Sequence, residues 1–230
     1  MTRLLASVTD CPEAETAIAA GADIIDLKDP SRGALGALPL DAIRSIVQQV
    51  AGRRPVSATI GDLPSDPGLM TDAIRATAAT RVDYVKVGFF TTENLGDCQR
   101  AIAPLSRGRS VVAVLFADLS PPLEDLAGFA GAGFAGVMLD TADKSRGGLT
   151  AHASLGDLRA FVDQARALGL LCGLAGALRI DDIPALLGLA PDYLGFRGAL
   201  CRSDQRQERV DPLRLLAVRR AIDRVPARAA

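Results

Sequence analysis

Lys28, Lys86 and Lys144 are the only lysines among the chain's 26 Lys and Arg residues. Lysine is ordinarily among the commonest residues, so a chain that meets nearly every need for positive charge with arginine has kept it at very few places. On a solvated face the exchange costs little. A guanidinium, however, neither releases a proton nor forms an imine, and a primary amine does both. The three lysines are therefore candidates for attack on a carbonyl. Such an amine must be partly neutral near pH 7, and burial or a second nearby cation lowers its pKa. Asp26 lies two residues before Lys28 and Asp140 four before Lys144. A carboxylate in that position can carry protons through carbinolamine, iminium and enamine stages. The plainer alternative is a lysine–aspartate ion-pair network that closes the protein interior.

Other chemistries find less support. His152, the single histidine, lies in what reads as a polar loop, Thr150-Ala151-His152-Ala153-Ser154, and gives no basis for a catalytic triad. Cys11, Cys98, Cys172 and Cys201 are widely spaced with no CxxC pair, which argues for reduced, buried thiols rather than zinc ligands. A metal-dependent isomerase would need Asp26, Asp62, Asp118 and Asp140 to gather without a histidine, and carboxylates paired with Lys and Arg are the simpler expectation. No metal and no cofactor is called for. A net charge of −1 gives no footing for nucleic acid or an anionic membrane surface. No apolar run suits a membrane span or the core of a signal peptide, so a cytoplasmic protein is expected.

Those residues need a frame. Short runs rich in Val, Ile and Leu, with Gly or Pro at their edges, occur at residues 4–8, 23–28, 56–61, 84–89, 110–117, 136–140, 171–176 and 193–198. They read as strands buried on both faces. Helical patterns lie between them: 12–20 with Asp10 as cap and Gly21 as stop, a face of Ile43, Ile46, Val47 and Val50, and a segment from Ser154 carrying Leu155, Leu158, Phe161, Val162 and Ala165. A last helix carries Leu213, Leu216 and Ile222. Eight strands, each followed by a helix, predict an α/β fold, a single (β/α)8 TIM barrel spanning residues 1–230, with a loose tail after Ile222. The rival, an open dinucleotide-binding sheet, lacks the glycine-rich turn it needs after the first strand.

In such a barrel the site lies at the C-terminal strand ends. Strand alternation turns Ile25, Leu27, Val85 and Val87 toward the helices and Asp26, Lys28 and Lys86 inward, while Asp140 ends its strand with Lys144 just beyond. The turns after strands seven and eight, Leu174-Ala175-Gly176-Ala177-Leu178 and Gly195-Phe196-Arg197-Gly198-Ala199, suit a phosphate: small residues admit backbone N–H groups and Arg197 can clamp the anion. Gly176, Ala177, Arg197 and Gly198 are the phosphate-binding candidates. Pro30-Ser31-Arg32-Gly33-Ala34-Leu35-Gly36-Ala37-Leu38, partly echoed by Ser145-Arg146-Gly147-Gly148-Leu149, reads either as a pair of flexible covers, each bringing an arginine to an anionic substrate, or as plain solvated loop.

The motif Gly21-Ala22-Asp23-Ile24-Ile25-Asp26-Leu27-Lys28-Asp29-Pro30 with Gly33-Ala34-Leu35-Gly36 resembles the opening of the (5-formylfuran-3-yl)methyl phosphate synthases of methanofuran biosynthesis. The resemblance continues through Val56-Ser57-Ala58-Thr59-Ile60-Gly61-Asp62, Asp83-Tyr84-Val85-Lys86-Val87-Gly88, Met138-Leu139-Asp140-Thr141-Ala142 and Gly195-Phe196-Arg197-Gly198-Ala199. It implies a barrel lyase akin to class I aldolases that joins two glyceraldehyde 3-phosphate molecules into a furan aldehyde phosphate, releasing phosphate and water. By the same resemblance Lys28 forms the Schiff base and Lys86 serves as acid/base, helped by Asp26, Asp140 and Lys144. The chain departs from the family pattern after Asp118, where Ser120-Pro121-Pro122 is compact. Another class I aldolase, or a barrel that only binds a phosphorylated metabolite, stands as the alternative reading. Alanine-rich helix surfaces suggest a homo-oligomer.

Overall fold

A computed structural model describes residues 1–121, 123 and 126–224. Eight parallel strands close into a barrel in chain order: β1 (Arg3–Val8), β2 (Ile24–Leu27), β3 (Val56–Thr59), β4 (Tyr84–Phe89), β5 (Ser110–Phe116), β6 (Gly136–Asp140), β7 (Leu171–Leu174) and β8 (Tyr193–Phe196). Around them run α1 (Cys11–Ala19), α2 (Leu40–Val50), α3 (Pro67–Ala78), α4 (Leu95–Ser106), α5 (Ala127–Gly131), α6 (Leu149–His152), α7 (Leu155–Ala167), α8 (Ile183–Leu187) and α9 (Pro212–Asp223). Closure by β1 pairing with β8 excludes the open sheet.

Strand alternation sorts the core into two layers. Ile25, Leu27, Val85, Val87, Val137 and Leu139 pack outward against Ile43, Ile46, Ile74, Ile102 and Phe161 of the helices. Leu5, Ile24, Val112, Val114, Met138 and Tyr193 fill the barrel from within. The lower rim satisfies its own backbone. Asp23, Asp83 and Asp192, each just before a strand, accept amides at the start of neighbouring strands, those of Leu4, Val56 and Cys172, each at 2.7 Å. A carboxylate at this place pins the register of paired strands, and that register decides which side chains reach the mouth.

Several sequence expectations need correction. β2, β3, β7 and β8 end earlier than the apolar runs do, so Lys28 stands one residue beyond its strand, held by its backbone N–H to Val8 O at 3.2 Å. The buried face of α9 is Leu215, Val218 and Ile222, whereas Leu213 is 77% exposed. Leu213 follows Pro212 in the first turn, where a 3.6-residue period counted back from Ile222 does not reach it. His152 sits in α6 rather than in a loop. Pro122 and the tail after Arg224 lie outside the described residues.

The two supposed covers are pinned turns. Asp29 accepts the Ser31 N–H and hydroxyl, and Asp143 does the same for Ser145. Asp62 takes the N–H groups of Ala34 and Leu35 at 2.8 and 2.6 Å. Leu35 is fully buried, and neither Arg32 nor Arg146 lines the cavity. Each turn ends on a glycine with φ near +110° (Gly33 at 112°, Gly147 at 115°), a region side chains disfavour.

Candidate active site

A cavity of about 850 Å³ opens at the C-terminal ends of the strands, within the range of small-molecule sites. It is lopsided. Its walls come from β1, β2, β6 and β8 and from the loops after β2, β6, β7 and β8. The β3–β5 side is filled by Leu35 and by Phe90 stacked on Phe116, with ring centroids 4.2 Å apart. Gly88 makes that filling possible, since a Cβ there would stand 2.7 Å from Leu35 and 2.8 Å from Phe90.

Register builds the polar floor. Ser7, Asp26 and Ser57 are paired Cα positions on β1, β2 and β3. Both hydroxyls donate to the Asp26 carboxylate, Ser7 at 2.8 Å and Ser57 at 2.6 Å, and Lys86 Nζ lies 2.6 Å from it. Burial alone would raise the Asp26 pKa. The ammonium groups of Lys86 and Lys28 and the hydrogen bonds of Lys86 and Ser57 overcome it and leave the carboxyl below its ordinary value. The sequence alone gives Ser7 and Ser57 no role, although Ser57 falls within one of the motifs above. Their signal was the alternation that turns them inward, but nothing in their residue type singled them out.

Asp140 closes β6 and accepts hydrogen bonds from Lys144 Nζ and, at 2.7 Å, from its neighbour's amide, Thr141 N. Despite burial, Lys144 and Lys28 hold its pKa down at about 2. Lys144 also donates to the Thr141 carbonyl and, at 3.1 Å, to the Thr141 hydroxyl, so its three N–H bonds all have acceptors. Lys28 differs from both other lysines. It is 8% exposed, lines the cavity, and has Asp140 as its nearest carboxylate at 3.9 Å, beyond hydrogen-bond reach. Burial first, then the charges of Lys144 and Lys86, push its pKa to about 8 against the opposing pull of Asp140 and Asp26. Lys86, 2% exposed, does not line this cavity and sits behind Asp26.

The phosphate candidates separate. Gly176, Ala177, Gly198 and Ala199 line the cavity with Gly147 and Gly148. Gly176 has φ +108°, and a Cβ there would lie within 3.2 Å of Thr141. Its carbonyl takes the Leu149 N–H at 2.8 Å, which locks the loops after β6 and β7 together. Arg197, expected as the anion clamp, is otherwise engaged. Its Nη1 and Nη2 bond Glu13 at 2.5 and 3.3 Å, and the remaining N–H groups donate to carbonyls of Ser7, Arg206 and Glu208. All five donors of the guanidinium are used. Arg197 and Glu13 are therefore an internal brace for the loop after β8.

The four aspartates raised for a metal are spent apart. Asp26 and Asp140 hold lysines, Asp62 holds the Ala34 and Leu35 amides, and Asp118 holds the amides of Ala142 and Asp143. Among the described residues no group of three His, Cys, Asp or Glu could hold a metal ion. Burial holds the Cys201 thiol up at about 11 and raises that of Cys172 further, so neither is a thiolate nucleophile. Among the described residues no helix is long and apolar enough to cross a membrane.

Comparison with known proteins agrees with this frame. The family model for 4-HFC-P synthase matches residues 4–219. A Methylorubrum extorquens protein provisionally named a (5-formylfuran-3-yl)methyl phosphate synthase is 45% identical over 213 residues, covering 93% of this chain and 88% of its own. The (5-formylfuran-3-yl)methyl phosphate synthases of Methanopyrus kandleri and Methanocaldococcus jannaschii are 38% and 37% identical; the alignments cover 89% and 90% of this chain and 91% and 94% of theirs. Among solved structures, phosphoribosyl anthranilate isomerase from Thermus thermophilus superposes with a TM-score of 0.68 at 17% identity, covering 96% of this chain and 98% of its own. 3-Keto-L-gulonate-6-phosphate decarboxylase from Vibrio cholerae does so with a TM-score of 0.64 at 14% identity, covering 97% and 98%. At such identities the structures establish the barrel and nothing finer.

Proposed function

The chain belongs to the 4-HFC-P synthase family, and on that basis we propose that it condenses two glyceraldehyde 3-phosphate molecules through a Lys28 Schiff base. The product is (5-formylfuran-3-yl)methyl phosphate, released with phosphate and water, for a methanofuran-type cofactor made in the cytoplasm. One observation carries the reading: among three lysines, only Lys28 is buried, faces the cavity and lacks a hydrogen-bonded carboxylate. With a pKa of about 8, roughly a tenth of it is neutral at pH 7, against well under 0.1% for an ordinary lysine.

The steps follow from the neighbours. The neutral Lys28 amine attacks the first carbonyl, and the carbinolamine loses water to give an iminium. The Asp140–Lys144 pair, 3.9 Å away on the Asp140 side, supplies and takes protons as the iminium becomes an enamine. The enamine expels phosphate from C3 of the first triose, and C2 of the second triose, as its enol, bonds to that carbon. The first triose's C2 hydroxyl then closes on the second aldehyde, two waters are lost as the ring becomes aromatic, and hydrolysis of the imine frees Lys28. Lys86 acts through Asp26: the carboxylate, held by Ser7 and Ser57, is the group that meets the cavity. The amides around Gly176, Ala177 and Gly198 take a phosphate.

Borohydride reduction in the presence of glyceraldehyde 3-phosphate, followed by intact mass and peptide mapping, tests this. The expected result is one adduct on Lys28, lost in Lys28→Ala, with free phosphate released by the unreduced protein. An adduct without phosphate release points instead to an ordinary class I aldolase. An active preparation with no adduct on any lysine overturns the Schiff base.

A further inference from the structure

Two triose phosphates bound together bring two phosphates into one cavity already holding Asp26 and Asp140. The amide-lined loops after β6, β7 and β8 accommodate one. The second needs its own cation, and the lysines are spent on chemistry or on Asp26 and Asp140. Four arginines line the cavity: Arg179, Arg197, Arg206 and Arg214. Arg197 has no donor left, as described. Arg214 binds the Asp204 carboxylate and the Ala199 carbonyl. Arg179 is exposed at the rim.

Arg206 is built differently. Residues 202–209 form a strap between β8 and α9, closed at its neck by the antiparallel bridge of Cys201 with Val210. The brace fixes it from below: Arg197 donates to the carbonyls of Arg206 and Glu208 at 2.8 Å each, and Glu13 accepts the Val210 N–H at 3.0 Å. From this anchored backbone the Arg206 side chain crosses to the turn after β2. There its Nη2 donates to the carbonyls of Pro30 and Gly33, each at 2.5 Å. Among the described residues its Nε and Nη1 have no acceptor. A half-buried guanidinium held at one edge therefore presents its remaining donors to the cavity, on the β8–β2 side and away from the Gly176 loop. Fixed forks of this kind suit a phosphate oxygen pair.

We propose that Arg206 forms a second anion site, for the second phosphate of the two-triose reaction; this rests on the condensation reading above. The probe is sn-glycerol 3-phosphate, which has the phosphate of a triose but no carbonyl to react. Calorimetric titration should show two molecules bound per wild-type chain and one per Arg206→Gln chain, with affinity at the second site down tenfold or more. Arg206→Lys should restore it in part and Arg206→Glu should abolish it, while all three variants lose thermal stability to a similar degree through the broken Pro30 and Gly33 contacts. A wild type binding only one molecule overturns the inference. So does an Arg206→Gln variant that keeps both sites, or that loses both together, since the side chain would then only brace the mouth. Borohydride trapping separates the two readings. A lost second site with no wild-type adduct keeps Arg206 and removes the condensation. A normal Lys28 adduct with unchanged stoichiometry in Arg206→Gln does the reverse.

Discussion

Replacing Lys144 by methionine probes how the amine of Lys28 is set. Lys144 affects it in two ways. Its charge repels the Lys28 ammonium, and its hydrogen bond to Asp140 occupies a carboxylate that stands 3.9 Å from Lys28. Removing it deletes a repelling cation and frees Asp140 to bond Lys28, so both changes raise the Lys28 pKa from about 8. Each unit of rise cuts the neutral amine at pH 7 about tenfold, and a full return to the ordinary lysine value cuts it by roughly 300-fold. The rate of borohydride-trapped adduct formation, followed by intact mass from pH 6 to 10.5, should break near pH 8 in the wild type. In Lys144→Met the rate at pH 7 should fall between about tenfold and 300-fold and recover most of that loss by pH 10. A variant whose break stays near pH 8 would refute this account of the tuning. An equal loss at every pH would mean that Lys144 serves in proton transfer alone.

Three further outcomes follow. Because the Lys28 pKa is lowered on folding, the unfolded chain binds more protons between about pH 8 and 10.5, and stability should rise across that window. Lys28→Met should therefore stabilise the protein at pH 7 by about 1–3 kcal/mol, a gain that shrinks above pH 8, read by chemical denaturation at both pH values. Ser57→Ala removes a 2.6 Å hydrogen bond to the buried Asp26 carboxylate; kcat should fall about tenfold or more with KM little changed, Ser57→Thr should recover part of it, and an unaltered kcat would dismiss Ser57 as a positioning residue. Glu13→Ala strands the Arg197 guanidinium, and thermal unfolding should show a loss of about 3–5 kcal/mol, whereas a loss below about 1 kcal/mol would mean the pair braces nothing.

The candidate site's charged wall was legible because strand alternation is a local rule. In residues 23–28 and 83–88 the apolar positions claim one face, and the charged residues between them must share the other. Composition sharpened the reading, since a chain so poor in lysine exposes each one it keeps. Arg197 shows where local rules stop. A strand-end arginine beside glycines looks like an anion clamp, but its partner Glu13 is 184 residues away and only barrel closure brings them together. Ser7 and Ser57 were hidden for another reason: an inward serine has no chemical signature until register places a carboxylate between the two. The apparent covers misled because their glycines read as flexibility, while Asp29, Asp62 and Asp143 had already fixed the turns.

The lopsided mouth has a stereochemical consequence. Leu35, Phe90 and Phe116 shut off the β3–β5 side, leaving approach to Lys28 from the β6–β8 side. On the proposed chemistry, the second triose then reaches the Lys28-bound carbons from one side only, and the new carbon–carbon bond forms with one handedness. A furan ring erases that handedness as it becomes aromatic. A Lys28-bound aldehyde with no phosphate to eliminate would instead add to an acceptor aldehyde and preserve it, and the enantiomeric excess of the trapped aldol would record which side of the barrel is closed.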